Sequence, residues 1–177
     1  MVKTGTTVDV NKVPEFLAGI KFLAENRVLV GIPSSKNERE DEEGNPSPIG
    51  NAAIGFIQEK GDPAMNLPAR PWLKPGVASD QPGTNDLFKK AGKAALEGNS
   101  KKAQDIYTAI GLRNQRAVQR YIKNSGNFAP LSDRTLWARK NRKIAPRTGE
   151  KPLIDSAQLL QHVSFVIAKI KSWYFNA

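Results

Sequence analysis

The stretch NLPARPWLKPGV, residues 66–77, constrains the fold more than any other part of the sequence. Three prolines occur within eight positions, and a proline cannot donate to a strand ladder and breaks the interior of a helix. The first two also bias the residues before them away from helix, and the third, with the following glycine, permits a turn or a helix start. We expect a stiff extended strap that delivers Trp72 and Leu73 to the core or to a neighbouring subunit and Arg70 to a polar partner. The alternative is a polyproline ligand for an aromatic groove, which would leave Trp72 exposed.

Hydrophobic periodicity, capping residues and glycine or proline punctuation predict several helices, with strands near the two ends of the chain. Helices are expected at about 11–26, 48–60, 85–97 and 101–124, with a short helix from Ser132, a helical turn at 153–161, and strands at 27–33 and 163–175. Because helices and strands are segregated rather than alternating, the α+β class is favoured. We expect one domain over residues 1–177, in which a small sheet packs against several helices and extended loops or arms project.

The formal charge of +10 is unevenly distributed. An acidic loop is expected at residues 34–47, and a basic connecting arm at 134–151 carries seven bases against one acid. Such a balance suits nucleic acid or an acidic protein partner. The chain has no cysteine, which excludes disulfides and thiolate chemistry. It shows neither a signal peptide nor an apolar run long enough to span a membrane, so we expect synthesis in the cytoplasm and no membrane partner.

Motifs for catalysis are not found. The sequence contains no nucleophile elbow, zinc-protease helix or phosphate-binding loop, and its one histidine, His162, has no obvious nucleophile beside it. The acidic residues between Glu38 and Glu43 do not follow the alternating spacing of a calcium loop, and they suit a solvated loop better. We therefore expect no enzyme, no cofactor and no metal site.

A basic stripe is expected on the helix at 101–124. Arg113, Arg116, Arg120 and Lys123 recur at helical spacing and lie about 120° from the apolar stripe of the same helix. This stripe is either a surface for phosphates or an acidic partner, or a solvated face. Further candidate contacts to DNA or to an acidic partner lie in the basic arm: Arg139, Lys140, Arg142 and Lys143.

Four pieces of the sequence, in this order, resemble a known family. They are VLVGIP at 28–33, NAAIGFIQEKGDPAMNLPARPWLKPGV at 51–77, GNFAPLSDRTLWARK at 126–140 and KPLIDSAQLLQHVSFVI at 151–167. Together they resemble the virion-morphogenesis, or tail-completion, proteins in the neck of long-tailed bacteriophages. The family motifs place packing roles on Pro68, Arg70, Pro71, Trp72, Leu73, Pro130, Leu131, Pro152, Leu153, Ile154, Asp155 and Leu159.

The chain departs from the family pattern at three places. Ser156-Ala157 replaces the usual Thr-Gly, Gln58 stands where a histidine is usual, and Trp72 replaces a phenylalanine. These changes leave the expected fold intact but leave the subfamily, and therefore the level in the neck, open.

The resemblance implies a structural virion protein without catalysis, made in the host cytoplasm, that joins tail to head. It would form a closed ring of about six copies, contact connector and tail-tube proteins, and let genomic DNA pass without sequence specificity. The acidic loop of one subunit could pair with the basic arm of the next. The alternative function is a non-specific nucleic-acid-binding protein, suggested by the net charge and the arginine stripe. A hydrolytic or toxin-like enzyme built on His162 is the weakest hypothesis.

Overall fold

The computed structural model describes residues 12–170, and within them it contains seven α-helices and one two-stranded antiparallel sheet. This confirms the α+β prediction. The elements are α1 Val13–Glu25, β1 Asn26–Gly31, α2 Asn51–Lys60, α3 Leu73–Ala78, α4 Gln81–Leu96, α5 Ser100–Lys123, α6 Asp133–Lys140, α7 Gln158–His162 and β2 Ser164–Lys169. The first residue of the helix predicted at 11–26 and the last predicted strand residues, 171–175, lie outside the described part. No helix between residues 12 and 170 is long and apolar enough to cross a membrane.

The long helix α5 is the centre of the fold. It packs against α1, α3, α4 and both strands, and its predicted apolar stripe is buried. Asn114 interrupts that stripe, but it lies 2.8 Å from the hydroxyl of Thr84 in α4, so this buried polar pair is mutually satisfied. Asn114 therefore forms a buried hydrogen bond that links α5 to α4, the two longest helices.

The sheet depends on α5 for support, since a two-stranded sheet is marginally stable alone. Strand β1 pairs antiparallel with β2, with Leu29 opposite Val166 and Val30 opposite Phe165. A β-carbon at Gly111 in α5 would collide with the ring of Phe165. The glycine that costs the helix about 1 kcal/mol relative to alanine is thus the site where the strand approaches the helix closely.

The first helix buries a different face from the one its apolar stripe predicts. Gly19 packs against the backbone of Ala95 in α4, and Phe22 and Leu23 complete the contact. By contrast, Val13 and Leu17 are each 57% exposed. The helix itself is confirmed, but much of its apolar stripe is left uncovered by the described chain.

Helix α2 also exposes its apolar residues and buries the opposite face. The predicted stripe of Ile49, Ala52, Ala53, Phe56 and Ile57 faces outward, and Phe56 is 64% exposed. Its buried side carries Asn51 and Gly55 instead. Small and polar residues point inward here because Gly55 lies directly against the indole ring of the strap tryptophan.

Two predicted boundaries are wrong. Helix α2 begins at Asn51 rather than 48, and its N-cap is Gly50. Helix α4 begins at Gln81 rather than 85, with proline in its first turn, where no amide donor is needed. The short helix expected from Ser132 is confirmed as α6, which the side chain of Ser132 caps and which includes residues 134–140 of the basic arm.

Candidate functional site

The strap is anchored by its tryptophan, as predicted. Trp72 is 3% exposed, and its indole Nε1 donates to the carbonyl oxygen of Gly55 at 2.9 Å. The Glu59 carboxylate accepts from the backbone amides of Trp72 and Leu73, at 2.6 and 2.9 Å. These amides open helix α3, so Glu59 satisfies donors that a helix start leaves unpaired. Residues 68–72 of the strap therefore have no regular secondary structure, and Leu73 and Pro75 belong to a short helix rather than to an extended segment.

Arg70 holds the strap to a second loop. It is buried, and it donates from Nε to the carbonyl of Ala129 at 2.9 Å and from Nη2 to the carbonyl of Pro130 at 3.0 Å. Burial, reinforced by the nearby charge of Arg139, lowers the pKa of the Arg70 guanidinium. The predicted polar partner of Arg70 is thus backbone, which a side-chain motif search would not reveal.

Arg139 is buried rather than available to a partner. Its Nη1 lies 2.8 Å from the carbonyl oxygen of Gly149 and 3.2 Å from those of Lys151 and Ile154. Arg139, which is a candidate contact to DNA or an acidic partner, is therefore nearly inaccessible to direct contact. Burial lowers the pKa of Arg139, and the negative charge of Asp155 acts in the opposite direction. One guanidinium here replaces the backbone hydrogen bonds that an irregular loop does not form with itself.

Asp155 lies at the centre of three arginines. Its carboxylate accepts from Arg142 Nη2 at 2.6 Å and lies 3.3 Å from Arg147 Nη1 and 3.6 Å from Arg139 Nε. Burial alone would raise the pKa of Asp155, but the Arg142 hydrogen bond and the three positive charges outweigh it and lower the pKa. This carboxylate is the counter-charge that lets the basic arm fold back on the chain.

The acidic loop also folds back onto its own chain. Glu42 pairs with Arg142, and the side-chain amide of Gln158 bonds both the amide and the carbonyl of Glu40, at 3.2 and 2.9 Å. The pairing between acidic loop and basic arm, which the sequence suggested between neighbouring subunits, is therefore satisfied within one chain at this point. The loop is a docked segment rather than a free arm.

These anchors enclose a cleft of about 700 Å³, which we call the strap cleft. Residues from α2, the strap, the segment before and within α6, and the segment leading into α7 form its walls. Three of the four pieces that carry the family resemblance meet here, including Arg70, Leu131, Leu153 and Asp155. Leu159 is buried and lines the cleft, Pro152 is buried outside its lining, and Pro68, Pro71 and Pro130 are exposed.

Scans against protein-family models and searches of the curated proteins and of the solved structures find no match to this chain. The resemblance therefore rests on the four sequence pieces, and no relative supplies a role for any residue. What the site can do has to be argued from its own charges, distances and shape.

A second surface, the α5 groove, contains the predicted basic stripe, and its residues face outward as expected. Arg113 Nη2 lies 2.7 Å from Asp80 Oδ1, and Arg120 Nη2 lies 3.5 Å from the other oxygen of the same carboxylate. A β-carbon at Gly83 would collide with the Arg113 guanidinium, so this glycine in α4 leaves room for the arginine. We define the groove by Asp80, Arg113, Arg116, Arg120 and Lys123, with a volume of about 690 Å³.

The remaining candidates from the basic arm divide by exposure. Lys140 and Lys143 are exposed, whereas Arg142 is half-buried and occupied by two carboxylates. Trp137, an aromatic side chain in the same arm, is 68% exposed. Of the four candidate contacts in the arm, Lys140 and Lys143 are therefore the two that are presented to a partner, and Trp137 is exposed beside them.

The residues considered for catalysis are engaged structurally. His162 Nδ1 lies 2.7 Å from the carbonyl oxygen of Gln158, one turn earlier in α7. Within residues 12–170, no group of three histidine, cysteine, aspartate or glutamate side chains is arranged to hold a metal ion. Asp41 accepts hydrogen bonds from Glu43 and Asn45 in the acidic loop, which is the arrangement of a tight polar turn.

Sequence reasoning missed four residues that organise these surfaces. Glu59 and Gln158 bind backbone far away in sequence, and Asp80 and Gly83 position the arginines of the α5 groove. The only local signal was the position of Asp80 just before Gln81-Pro82, which is typical of a helix start. The other three depend on tertiary contacts that a single sequence does not report.

Proposed function

We propose that the chain is a structural virion protein of a bacteriophage neck, of the tail-completion or tail-terminator type. In this proposal it forms a closed ring of about six copies that joins tail to head and lets DNA pass. Its neighbours are connector and tail-tube proteins, and its place is the virion. No enzymatic step is part of the proposal.

The observation that carries the proposal is the use of the motif residues. Their polar groups are already hydrogen-bonded within the chain. Arg70, Trp72 and Arg139 donate to backbone carbonyls, and Asp155 accepts from Arg142. Residues used in this way fix the shape of irregular segments, which a scaffold requires. They do not leave a nucleophile beside a base, which hydrolysis would require.

The uncovered apolar faces of α1 and α2 give further support. Val13 and Leu17 on α1, with Phe56 on α2, are large apolar side chains that the described chain leaves exposed. Exposed apolar patches commonly mark interfaces with other proteins. A ring subunit would cover both faces with its neighbours, in heterologous contacts that close on themselves.

The test is electron microscopy combined with light scattering of the purified protein. We expect rings with a mass several times that of the 19.4 kDa chain, and immunogold labelling of virions at the head–tail junction. Leu17→Glu and Phe56→Glu should each dissolve the rings without changing the far-ultraviolet circular dichroism. A protein that stays monomeric, labels elsewhere on the virion, or assembles equally well with both substitutions contradicts the proposal.

A second candidate function is non-specific nucleic-acid binding, favoured by the α5 groove. Arg116 and Lys123 are exposed there, and within residues 12–170 neither forms an ion pair. The four basic side chains follow one helix face over about 15 Å, at 1.5 Å per residue, a length that suits a row of phosphates.

Salt dependence separates the two functions. A binder that uses this groove should lose duplex affinity steeply as salt rises, because each neutralised phosphate releases counterions. A neck subunit should bind duplex weakly as a monomer and with a shallow slope. Fluorescence anisotropy of a labelled duplex at several salt concentrations measures this slope directly.

A further inference from the structure

The strap cleft contains an excess of positive charge. Four arginines line it, at positions 39, 70, 134 and 139, against one carboxylate, Asp155. That carboxylate is already shared among three arginines of the basic arm, Arg139, Arg142 and Arg147. Within residues 12–170, Arg39, Arg70 and Arg134 form no ion pair. Their partners are the Asn51 side chain for Arg39 and backbone carbonyls and Gln58 for Arg70.

The environment inside the cleft disfavours the charged form of two of its arginines. Burial lowers the pKa of Arg70 and of Arg139, and the positive charge of Arg139 lowers that of Arg70 further. These two buried guanidiniums give their donors to backbone, but their positive charge favours an anion at the less buried arginines of the cleft. Arg134, at the exposed mouth of the cleft, is available to meet that anion first.

The cleft also carries apolar side chains, so a bare anion would leave much of it unfilled. Met65, which is 77% exposed, is one of them. The others are Ile54, Leu67, Leu131, Leu153 and Leu159, and polar side chains such as Gln58 and Thr135 also line the cleft. A cleft of about 700 Å³ that presents both guanidiniums and apolar side chains suits an extended peptide that carries acidic and apolar side chains, which alternate in direction along a strand.

An acidic segment of this chain, residues 38–42, is already bound beside the cleft, at Gln158 in its lining and at Asn51 and Arg142 nearby. Gln158 pairs with both backbone groups of Glu40, Asn51 Nδ2 donates to the carbonyl of Glu38, and Arg142 pairs with Glu42. An acidic stretch of this chain is therefore held beside the cleft through backbone recognition plus a guanidinium. Duplex DNA, in contrast, presents its phosphates on a broad rod, which suits the exposed side chains of the α5 groove better.

We propose that the strap cleft binds an extended segment of a partner protein in which acidic and apolar side chains alternate. Arg134 and Arg39 pair with its carboxylates, and Met65 and Leu131 contact its apolar side chains. This inference rests on the residues of the cleft, and it holds whether or not the chain belongs to a phage neck.

The test uses the purified full chain and a fluorescein-labelled six-residue peptide of alternating glutamate and leucine. Anisotropy is measured at about 0.1 M salt, where exposed charges beyond about 10 Å are screened. Arg134→Glu should weaken binding by about tenfold or more, since it replaces a charge-assisted contact by repulsion. Arg116→Glu on α5 makes the same change in net charge outside the cleft, and it should leave affinity within about twofold.

Two further measurements keep the assignment falsifiable. Met65→Ala should weaken binding of the glutamate–leucine peptide by about threefold and leave binding of a hexaglutamate peptide unchanged. Only the first peptide has apolar side chains that can contact Met65. The proposal is overturned if Arg134→Glu and Arg116→Glu weaken binding equally, if a lysine–leucine peptide binds as well, or if no peptide binds. It is also overturned if a short DNA duplex competes for the cleft and is the ligand that depends on Arg134.

Discussion

Arg139 in the strap cleft and Arg113 in the α5 groove have the same side chain and different uses. Arg139 is buried and gives its donors to three backbone carbonyls and one carboxylate. Arg113 is partly exposed and pairs with the single carboxylate of Asp80. Burial and the number of acceptors therefore separate an arginine that stabilises a loop from one that is available to a partner, and basic sequence alone does not separate them.

The contrast between buried and exposed side chains is tested most strongly at two tryptophans. Trp72 is buried, whereas Trp137 is exposed. Trp72→Ala should lower the free energy of unfolding by about 3–5 kcal/mol, from lost burial, a cavity and the orphaned carbonyl of Gly55. Trp137→Ala is the matched control and should change it by less than about 0.5 kcal/mol. Urea unfolding followed by circular dichroism measures both. Equal effects of the two substitutions would mean that the strap is not an anchor.

Arg139 and Arg116 provide the next comparison, with the same substitution at both. Arg139→Met should cost about 2–4 kcal/mol, since it leaves three loop carbonyls and part of Asp155 without a donor. Arg116→Met should cost less than about 0.5 kcal/mol, because Arg116 is exposed and forms no ion pair within residues 12–170. The same urea titration measures both variants. A neutral Arg139→Met would show that the loop carbonyls are satisfied by water instead.

Asp155 should make the stability of the strap region depend on pH. Its folded-state pKa is lowered, so its stabilisation is fully present above the unfolded value of about 3.9 and is lost as pH falls through the folded pKa. Thermal unfolding between pH 6 and pH 3, a window set around that unfolded value, should show a steeper loss for the native chain than for Asp155→Asn. Parallel curves for the two proteins would assign the acid sensitivity to other carboxylates.

The sequence predicted the class, the long helix and the burial of Trp72, because these follow from local periodicity and from the backbone limits of proline. It did not predict which faces of α1 and α2 are covered. Gly19 and Gly55 allow close packing on the side that carries fewer apolar residues, and an apolar stripe does not show where a glycine contact will form. The strap cleft could not be predicted either, because Arg70 and Arg139 bind backbone carbonyls in other loops. Since every residue has a backbone carbonyl, the sequence does not indicate which ones an arginine will bind.

The smallest effect on stability, and the sharpest on binding, is expected in the α5 groove. Arg116→Ala should leave the free energy of unfolding within about 0.5 kcal/mol. If the groove contacts phosphates, the same change should weaken duplex binding uniformly across sequences and reduce the salt slope by about one. Arg134→Ala removes an equal charge from the mouth of the strap cleft, and it should leave the slope unchanged. Should both variants lower duplex affinity equally, the net charge of the chain rather than the groove would account for binding. The two arginine surfaces would then have to be distinguished by the peptide alone.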